Sequence, residues 1–264
     1  MAEDVRTAGV DVGTEYVKAV VLDAEGRVLG RSVIPTRGYF QACAYEALHA
    51  ALDDAATSSD RLAGIGATGF GMGCVPDATC SATESACHAS GAYHHVGHAM
   101  TLVNIGGRQP EVIMVDEVGR RTGTRGARSC AVGVGSFLMF AARHLDVSPA
   151  RFDELASAAS GRAAPISSYC SVFSGDSVLE RLREGAMREE VALGCLVSIA
   201  ERVAEIGGFD APIVVSGGVA EYFPGVVRAL ESLSGRPVLT IPDPIYAGAL
   251  GAALLVLRTP AAVV

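Results

Sequence analysis

The chain has 264 residues, half of them hydrophobic, with 21 Lys plus Arg against 29 Asp plus Glu and a formal net charge of -8. That length can bury one large core or two smaller ones, and the acidic balance without a basic stripe argues against a nucleic-acid partner. No apolar run reaches the ~18 residues of a membrane helix and the N-terminus has no secretory layout, so a cytoplasmic protein without membrane contact is expected, its seven cysteines reduced.

In chain order, Val10 to Val21 has strand character broken by a glycine loop, and "DAEGR" (23–27) turns the chain back into a further strand. Phe40 to Ala56 carries apolar groups at helical spacing, "LAGIGATGFG" reads as a short buried strand ending in glycines, and Glu84 to Tyr93 as a further helix. A second copy of the hairpin then appears. At an offset of 93, Val10 aligns with Val103, Asp11 with Asn104, Gly13 with Gly106, Val20 with Ile113, Asp23 with Asp116, Gly26 with Gly119 and Arg27 with Arg120. Phe137 to Leu145 and Val178 to Glu205 read as helices, and "PIVVSGGVA" as a strand entering a glycine turn. Glycine turns follow strands in many α/β proteins, but that alone does not explain the matched "D..GR" ends. The duplication predicts two similar lobes, 1–98 and 99–244, with 245–264 packing back on the first.

In "DVGTEYVK", Gly13 lets backbone N–H groups approach an anion, Thr14 adds a hydroxyl and Lys18 a positive charge, while Asp11 is placed for a hydrated Mg²⁺. Further small-residue turns supply Gly106 and Gly107, Gly133 and Gly135, Gly217 and Gly218, and, in "YAGALGAA", Gly248. Together they fit a bound nucleotide.

The order of these loops resembles the actin, sugar-kinase and Hsp70 type of ATPase. More narrowly, "GVDVGTEYVKAVVLD", "TGFG", "ESACHASGA", "VNIGG", "CAVGVGSFL", "ISSYCSVF", "GGVAEYFPGVVRALE" and "DPIYAGALGAALL" resemble the ATPases that activate 2-hydroxyacyl-CoA dehydratases and serve benzoyl-CoA reductases. The resemblance runs from Gly9 to Leu255. It implies an α/β, actin-like fold of two duplicated lobes with mixed sheets around a nucleotide cleft, holding ATP or ADP with Mg²⁺, with Asp11 and Asn104 at the catalytic positions.

Cys130 and Cys170 each precede a helix, where N–H groups and the dipole favour a thiolate. Two thiols cannot complete a four-cysteine shell and no C-x-x-C run supplies the rest. In the family resembled, one [4Fe-4S] cluster bridges two chains through the cysteines matching Cys130 and Cys170. The resemblance further implies a homodimer or a heterodimer with a related ATPase subunit, acyl-CoA reductase or dehydratase subunits as partners, and ferredoxin or flavodoxin as electron donor. Cys74, Cys80, Cys87 and His88 match no zinc spacing and read as packing or contact residues, Cys43 and Cys195 as core, and His94, His95 and His98 as surface.

The sequence departs from the family in three places: Asn104 replaces the Asp that opens the second phosphate loop, Val134 a Thr, and "FSGDS" a Glu-rich segment, with Asp176 the nearest acid. These predict impaired hydrolysis and a place in a heteromeric complex. Two alternatives stay open, a small-molecule kinase of the same superfamily and a nucleotide-binding subunit without catalysis.

Overall fold

A computed structural model of the chain describes residues 5–126, 133–210 and 212–258. Within them the chain divides into two compact units: one of residues 5–98, 115–121 and 245–258, the other of 99–114, 122–126, 133–210 and 212–244.

The first unit is built on β1 (Arg6–Val12), β2 (Tyr16–Leu22), β3 (Val28–Pro35), β4 (Leu62–Thr68) and β5 (Cys80–Ser81), in the order β3-β2-β1-β4-β5. β1 pairs antiparallel with β2 and β2 with β3, whereas β1–β4 and β4–β5 are parallel, so the sheet is mixed. Alternation along the strands gives each face its own helix. Ala8, Val10, Val12 and Val17 join Cys43, Ala47, Leu48 and Leu52 of α1 (Phe40–Asp54) in one core cluster. On the other face Val20 and Leu22 join Ala249, Leu250, Ala253 and Leu254 of α9 (Ala247–Arg258). Gly9 lies under α9, where any Cβ would overlap the Ala249 carbonyl oxygen.

The small-residue run "YAGALGAA" is therefore not a turn, as its glycines had suggested: a short 3-10 turn (Pro244–Tyr246) leads into α9, and the run forms its first half. Its glycines serve close helix packing, since a Cβ at Gly251 would overlap Cys87 of α2 (Glu84–Val96).

The second unit repeats the plan. β6 (Met100–Ile105), β7 (Pro110–Val115), β8 (Arg121–Gly126), β9 (Ile213–Ser216) and β10 (Val238–Thr240) are ordered β10-β9-β6-β7-β8, the same sequence of neighbours read from the other edge. As in the first sheet, the parallel pairs are β6–β9 and β9–β10. Around it stand α3 (Val134–His144), α4 (Pro149–Ser157), α5 (Ser171–Arg183), α6 (Arg188–Ile206), α7 (Gly218–Tyr222) and α8 (Pro224–Ser234). Val103, Ile105 and Val112 share one core with Phe137, Phe152, Leu196, Ile199, Val203 and Phe223, and the Phe152 and Phe223 rings meet edge to face at 5.3 Å.

The matched "D..GR" ends form the same backbone turn, and in the first Arg27 Nε also donates to Asp23 Oδ2 at 2.6 Å. Asp23 N–H donates to the Arg27 carbonyl at 3.0 Å and Gly26 N–H to the Asp23 carbonyl at 3.1 Å; Asp116 N–H reaches Arg120 and Gly119 N–H reaches Asp116 at 3.0 Å each. The side-chain oxygen of Asp23 accepts from Glu25 N–H and Arg27 N–H, and that of Asp116 from Val118 N–H and Arg120 N–H. Gly26 and Gly119 have φ of 82° and 77°, the left-handed conformation that selects glycine here.

Candidate functional site

In the first unit, Asp11 and Lys18 are cross-strand partners on β1 and β2, and their side chains meet at 2.6 Å between Oδ2 and Nζ. Lys18 also donates to the Tyr16 carbonyl at 3.4 Å, so its charge is held in place by the carboxylate and does not sweep free over the loop. Gly13 N–H donates to the Tyr16 carbonyl at 3.1 Å and Thr36 Oγ1 to the Gly13 carbonyl at 2.9 Å, which fixes the turn that contains Thr14.

Glycines keep the surroundings of the Asp11 carboxylate clear. A Cβ on Gly69 would overlap Asp11 Oδ1, and one on Gly248 would lie 2.9 Å from Asp11 Oδ2 and 3.1 Å from His88 Nε2. His88 is buried beneath this pair; burial pulls its pKa below the ordinary value, against the pull of Glu84 and Asp11 and with a small push from Lys18, so its imidazole is neutral. Next to it, burial drives the Cys87 thiol up to about 12, which makes it a packing group.

The second unit offers the counterpart. Asn104 is paired in register with Ser216 on β9, as Asp11 is with Thr68 on β4. After each partner comes a glycine with positive φ, Gly69 at 87° and Gly217 at 98°, and a Cβ on Gly217 would come within 2.7 Å of Asn104 Oδ1. The repeat therefore extends beyond the hairpins to Thr68-Gly69 and Ser216-Gly217, an equivalence the sequence pattern did not reveal because the flanking residues differ.

The structure brings Gly106 and Gly107 together with Gly133 and Gly135. Val134 N–H donates to the Arg108 carbonyl at 2.9 Å, and Gly135 and Ser136 N–H to the Gly107 carbonyl at 3.1 and 3.2 Å. A Cβ on Gly135 would stand 2.8 Å from the Gly106 oxygen. Val134 is wholly buried in the core of this unit, so the expected position for a phosphate-facing hydroxyl is here a packing position. Gly218 is the first residue of α7 and Gly217 precedes it.

Of the two expected cluster cysteines, Cys130 lies outside the described residues. Cys170 is the extended residue that precedes α5. The nearby backbone N–H groups of Val172 and Phe173, at the start of α5, hold the thiol below its ordinary pKa, helped by the nearby Arg202 charge and opposed by partial desolvation. Tyr169, Val172 and Phe173 around it are 71%, 77% and 56% exposed. Arg202, on α6, is buried, and no motif in the sequence marks it out. Cys43, Cys87 and Cys195 are buried, Cys74 and Cys80 half-buried, and His94, His95 and His98 exposed. Among the described residues no group of three or more His, Cys, Asp or Glu side chains is arranged to hold a metal, and no helix is long and apolar enough to cross a membrane.

The model of the BadF/BadG/BcrA/BcrD ATPase family matches residues 8–256. The chain belongs to this family. It is 34% identical over 251 residues to the activator of lactoyl-CoA dehydratase from Anaerotignum propionicum, covering 94% of this chain and 96% of that protein. A benzoyl-CoA reductase polypeptide of Thauera aromatica, one of that enzyme's subunits, is 29% identical over 264 residues, covering 94% of this chain and 92% of that one. The crystal structure of component A of (R)-2-hydroxyglutaryl-CoA dehydratase from Acidaminococcus fermentans superposes with a TM-score of 0.88 at 30% identity, over 96% of this chain and 98% of that one. The fold is accordingly that of the actin-like ATPases, and relatives of this family member serve as activators of dehydratases or as part of a reductase.

Proposed function

We propose that this chain is the ATP-driven electron-transfer component of an acyl-CoA dehydratase or benzoyl-CoA reductase system. The observation that carries the reading is the Cys170 turn: a half-buried sulfur at a helix start, near the backbone N–H groups of Val172 and Phe173, with a buried arginine close by and exposed apolar side chains beside it. Such a setting favours a thiolate ligand and tolerates added negative charge. It fits a [4Fe-4S] cluster shared by two chains, each contributing Cys130 and Cys170; when bound, the cluster would supply a one-electron, low-potential couple. Tyr169, Val172 and Phe173 would be covered by the second chain.

Nucleotide would be held at the glycine turns. Asp11 and Lys18 carry opposite charges 2.6 Å apart, which suits magnesium and phosphate, the opposite pair on the ligand. Thr14 and the turn at Gly13 would add hydrogen-bond donors. Free energy from nucleotide turnover would then move the segments that carry the cysteines, and ferredoxin or flavodoxin would refill the electron.

Asn104 favours one refinement. Its amide could accept a hydrogen bond from a metal-bound water but would lack the charge that activates a nucleophile, so this chain would hydrolyse ATP slowly alone and work beside a related subunit that keeps the acid. The test is iron and acid-labile sulfide analysis of protein purified without oxygen. About four of each per two chains are expected, and none with Cys130→Ala or Cys170→Ala. A full complement of iron in either variant would overturn the assignment.

A further inference from the structure

Arg202 is only 3% exposed although it carries a guanidinium. Its NH1 donates to Ser171 Oγ at 3.2 Å, and its NH2 to the Ser167 carbonyl at 3.2 Å and to Ser174 Oγ. These acceptors lie on both sides of Cys170 in sequence. Ser174 ties them together: its hydroxyl donates to the carbonyls of Ser167 and Cys170, and its N–H donates to the Cys170 carbonyl at 2.9 Å. The guanidinium therefore fastens the Cys170 turn by three hydrogen bonds from behind.

The other side of the guanidinium lies over the Phe137 ring, 5.8 Å from its centroid. Phe137 belongs to the first turn of α3, and that turn is hydrogen-bonded to Gly107 and Arg108 of the second glycine loop. Gly135 packs so closely there that a Cβ would lie 2.8 Å from Gly107 Cα. Loop, helix start, ring, guanidinium and cysteine turn thus form one unbroken series of contacts inside a single compact unit.

A buried guanidinium is costly to desolvate, and a packed apolar side chain in its place is often no less stable. Burial pulls the Arg202 pKa down, with Cys170 and Glu205 pulling the other way, and arginine stays charged regardless. What the planar fork does that an apolar group or lysine cannot is hold several acceptors in one fixed plane while presenting a flat face to an aromatic ring.

We propose that Arg202 is the positioning residue that couples the second glycine loop to the Cys170 turn. A nucleotide that displaces Gly106 and Gly107 moves the start of α3, and the Phe137 ring and the guanidinium pass that movement to the segment carrying Cys170. The proposal rests on the nucleotide-binding part of the function proposed above. Contact alone defines a route; coupling is a free energy between two sites and has to be measured as one.

The experiment uses the full chain purified without oxygen, compared with ADP and with a non-hydrolysable ATP analogue. Two signals are read: the paramagnetic resonance spectrum of the reduced cluster, and, on iron-free chain, the rate of Cys170 alkylation by iodoacetamide followed by peptide mass spectrometry. In the wild type the two nucleotides should give different spectra and alkylation rates about fivefold apart, the low end of a site-to-site coupling. Arg202→Lys and Phe137→Leu should bring that ratio to one while ADP still binds. A wild-type ratio of one, or a variant that binds ADP and keeps the wild-type ratio, overturns the proposal. If Arg202→Lys fails to fold, Phe137→Leu decides, because it removes the ring and leaves the guanidinium in place. A wild type that carries no iron as isolated without oxygen, yet shows the ratio, would sink the electron-transfer reading and leave the coupling standing; a wild type isolated with its cluster whose ratio, read after iron removal, ignores both substitutions would do the reverse.

Discussion

The hairpin that contains Asp11 and the one that contains Asn104 share a strand order, a closing turn with matching hydrogen bonds and a positive-φ glycine beside the key side chain. They differ in charge. The first holds a carboxylate against Lys18 above a neutral buried histidine; the second has an amide, and the position matching Lys18 is Glu111. Backbone features repeat because they are set by steric rules that any copy must obey. Side chains at the strand ends are free to diverge, so they record what each copy does.

The largest effect expected from breaking this asymmetry comes from Asp11→Asn, which turns the first copy into an imitation of the second. ATP turnover, measured with partner subunits present, should drop by about a hundredfold or more, the scale on which a lost acid or metal-positioning group is felt. Undiminished turnover would show that the carboxylate is not used. The reciprocal change, Asn104→Asp, should raise turnover of the isolated chain; no rise would mean that Asn104 is not what limits hydrolysis.

Next in size are the glycines. Gly217 combines φ 98° with ψ 169°, a region that is essentially glycine's alone, so Gly217→Ala should cost about 1–3 kcal/mol in denaturant unfolding and also crowd Asn104. Gly69→Ala should destabilise as well and strike Asp11, lowering nucleotide affinity more than its Gly217 counterpart does.

His88 sharpens the comparison through pH. Its folded pKa lies below the unfolded value of about 6.5, so the unfolded chain binds the extra proton first; its contribution is intact above pH ~6.5 and is lost as pH falls from there toward the folded value. Unfolding free energy followed from pH 7 to 5 should decline less steeply in His88→Gln, by up to one proton's worth of slope. Identical slopes would remove His88 from the balance of charge around Asp11, Lys18 and Glu84.

Smallest are the turn aspartates. Asp23→Ala and Asp116→Ala each remove an acceptor for two backbone N–H groups and should each cost about 1 kcal/mol; the Arg27 ion pair that Asp23→Ala also removes is largely exposed and adds little. A twofold or larger disparity would show that the copies are not equivalent even in the frame.

Much of the frame was legible because its determinants are local. A glycine three residues after an aspartate, or glycines flanking a strand end, signal a turn whatever the surroundings, and their recurrence at a fixed offset exposed the repeat. The Gly/Ala run from Ala247 was misread as a turn because glycine at a loop and glycine at a close helix contact look the same until Cys87 is seen lying against it. Arg202 was illegible for the same physical reason: its three acceptors and the Phe137 ring come from segments 28–65 residues away in the chain. The pairing of Lys18 with Asp11 follows from hairpin register, which spacing alone does not specify. Cys170 stands out through family likeness; the backbone N–H groups of Val172 and Phe173 and the Arg202 charge that depress its pKa come together only in the folded turn.

The central claim is that nucleotide turnover drives an electron off this chain. The most direct measurement is the reoxidation of reduced, oxygen-free protein mixed with the proposed acyl-CoA dehydratase or reductase partner, followed by absorbance with and without MgATP. The account predicts rapid reoxidation only when MgATP and the acyl-CoA enzyme are both present, and none with ADP. Reoxidation at the same rate without nucleotide, or ATP consumption with no change in the chain's oxidation state, would contradict it.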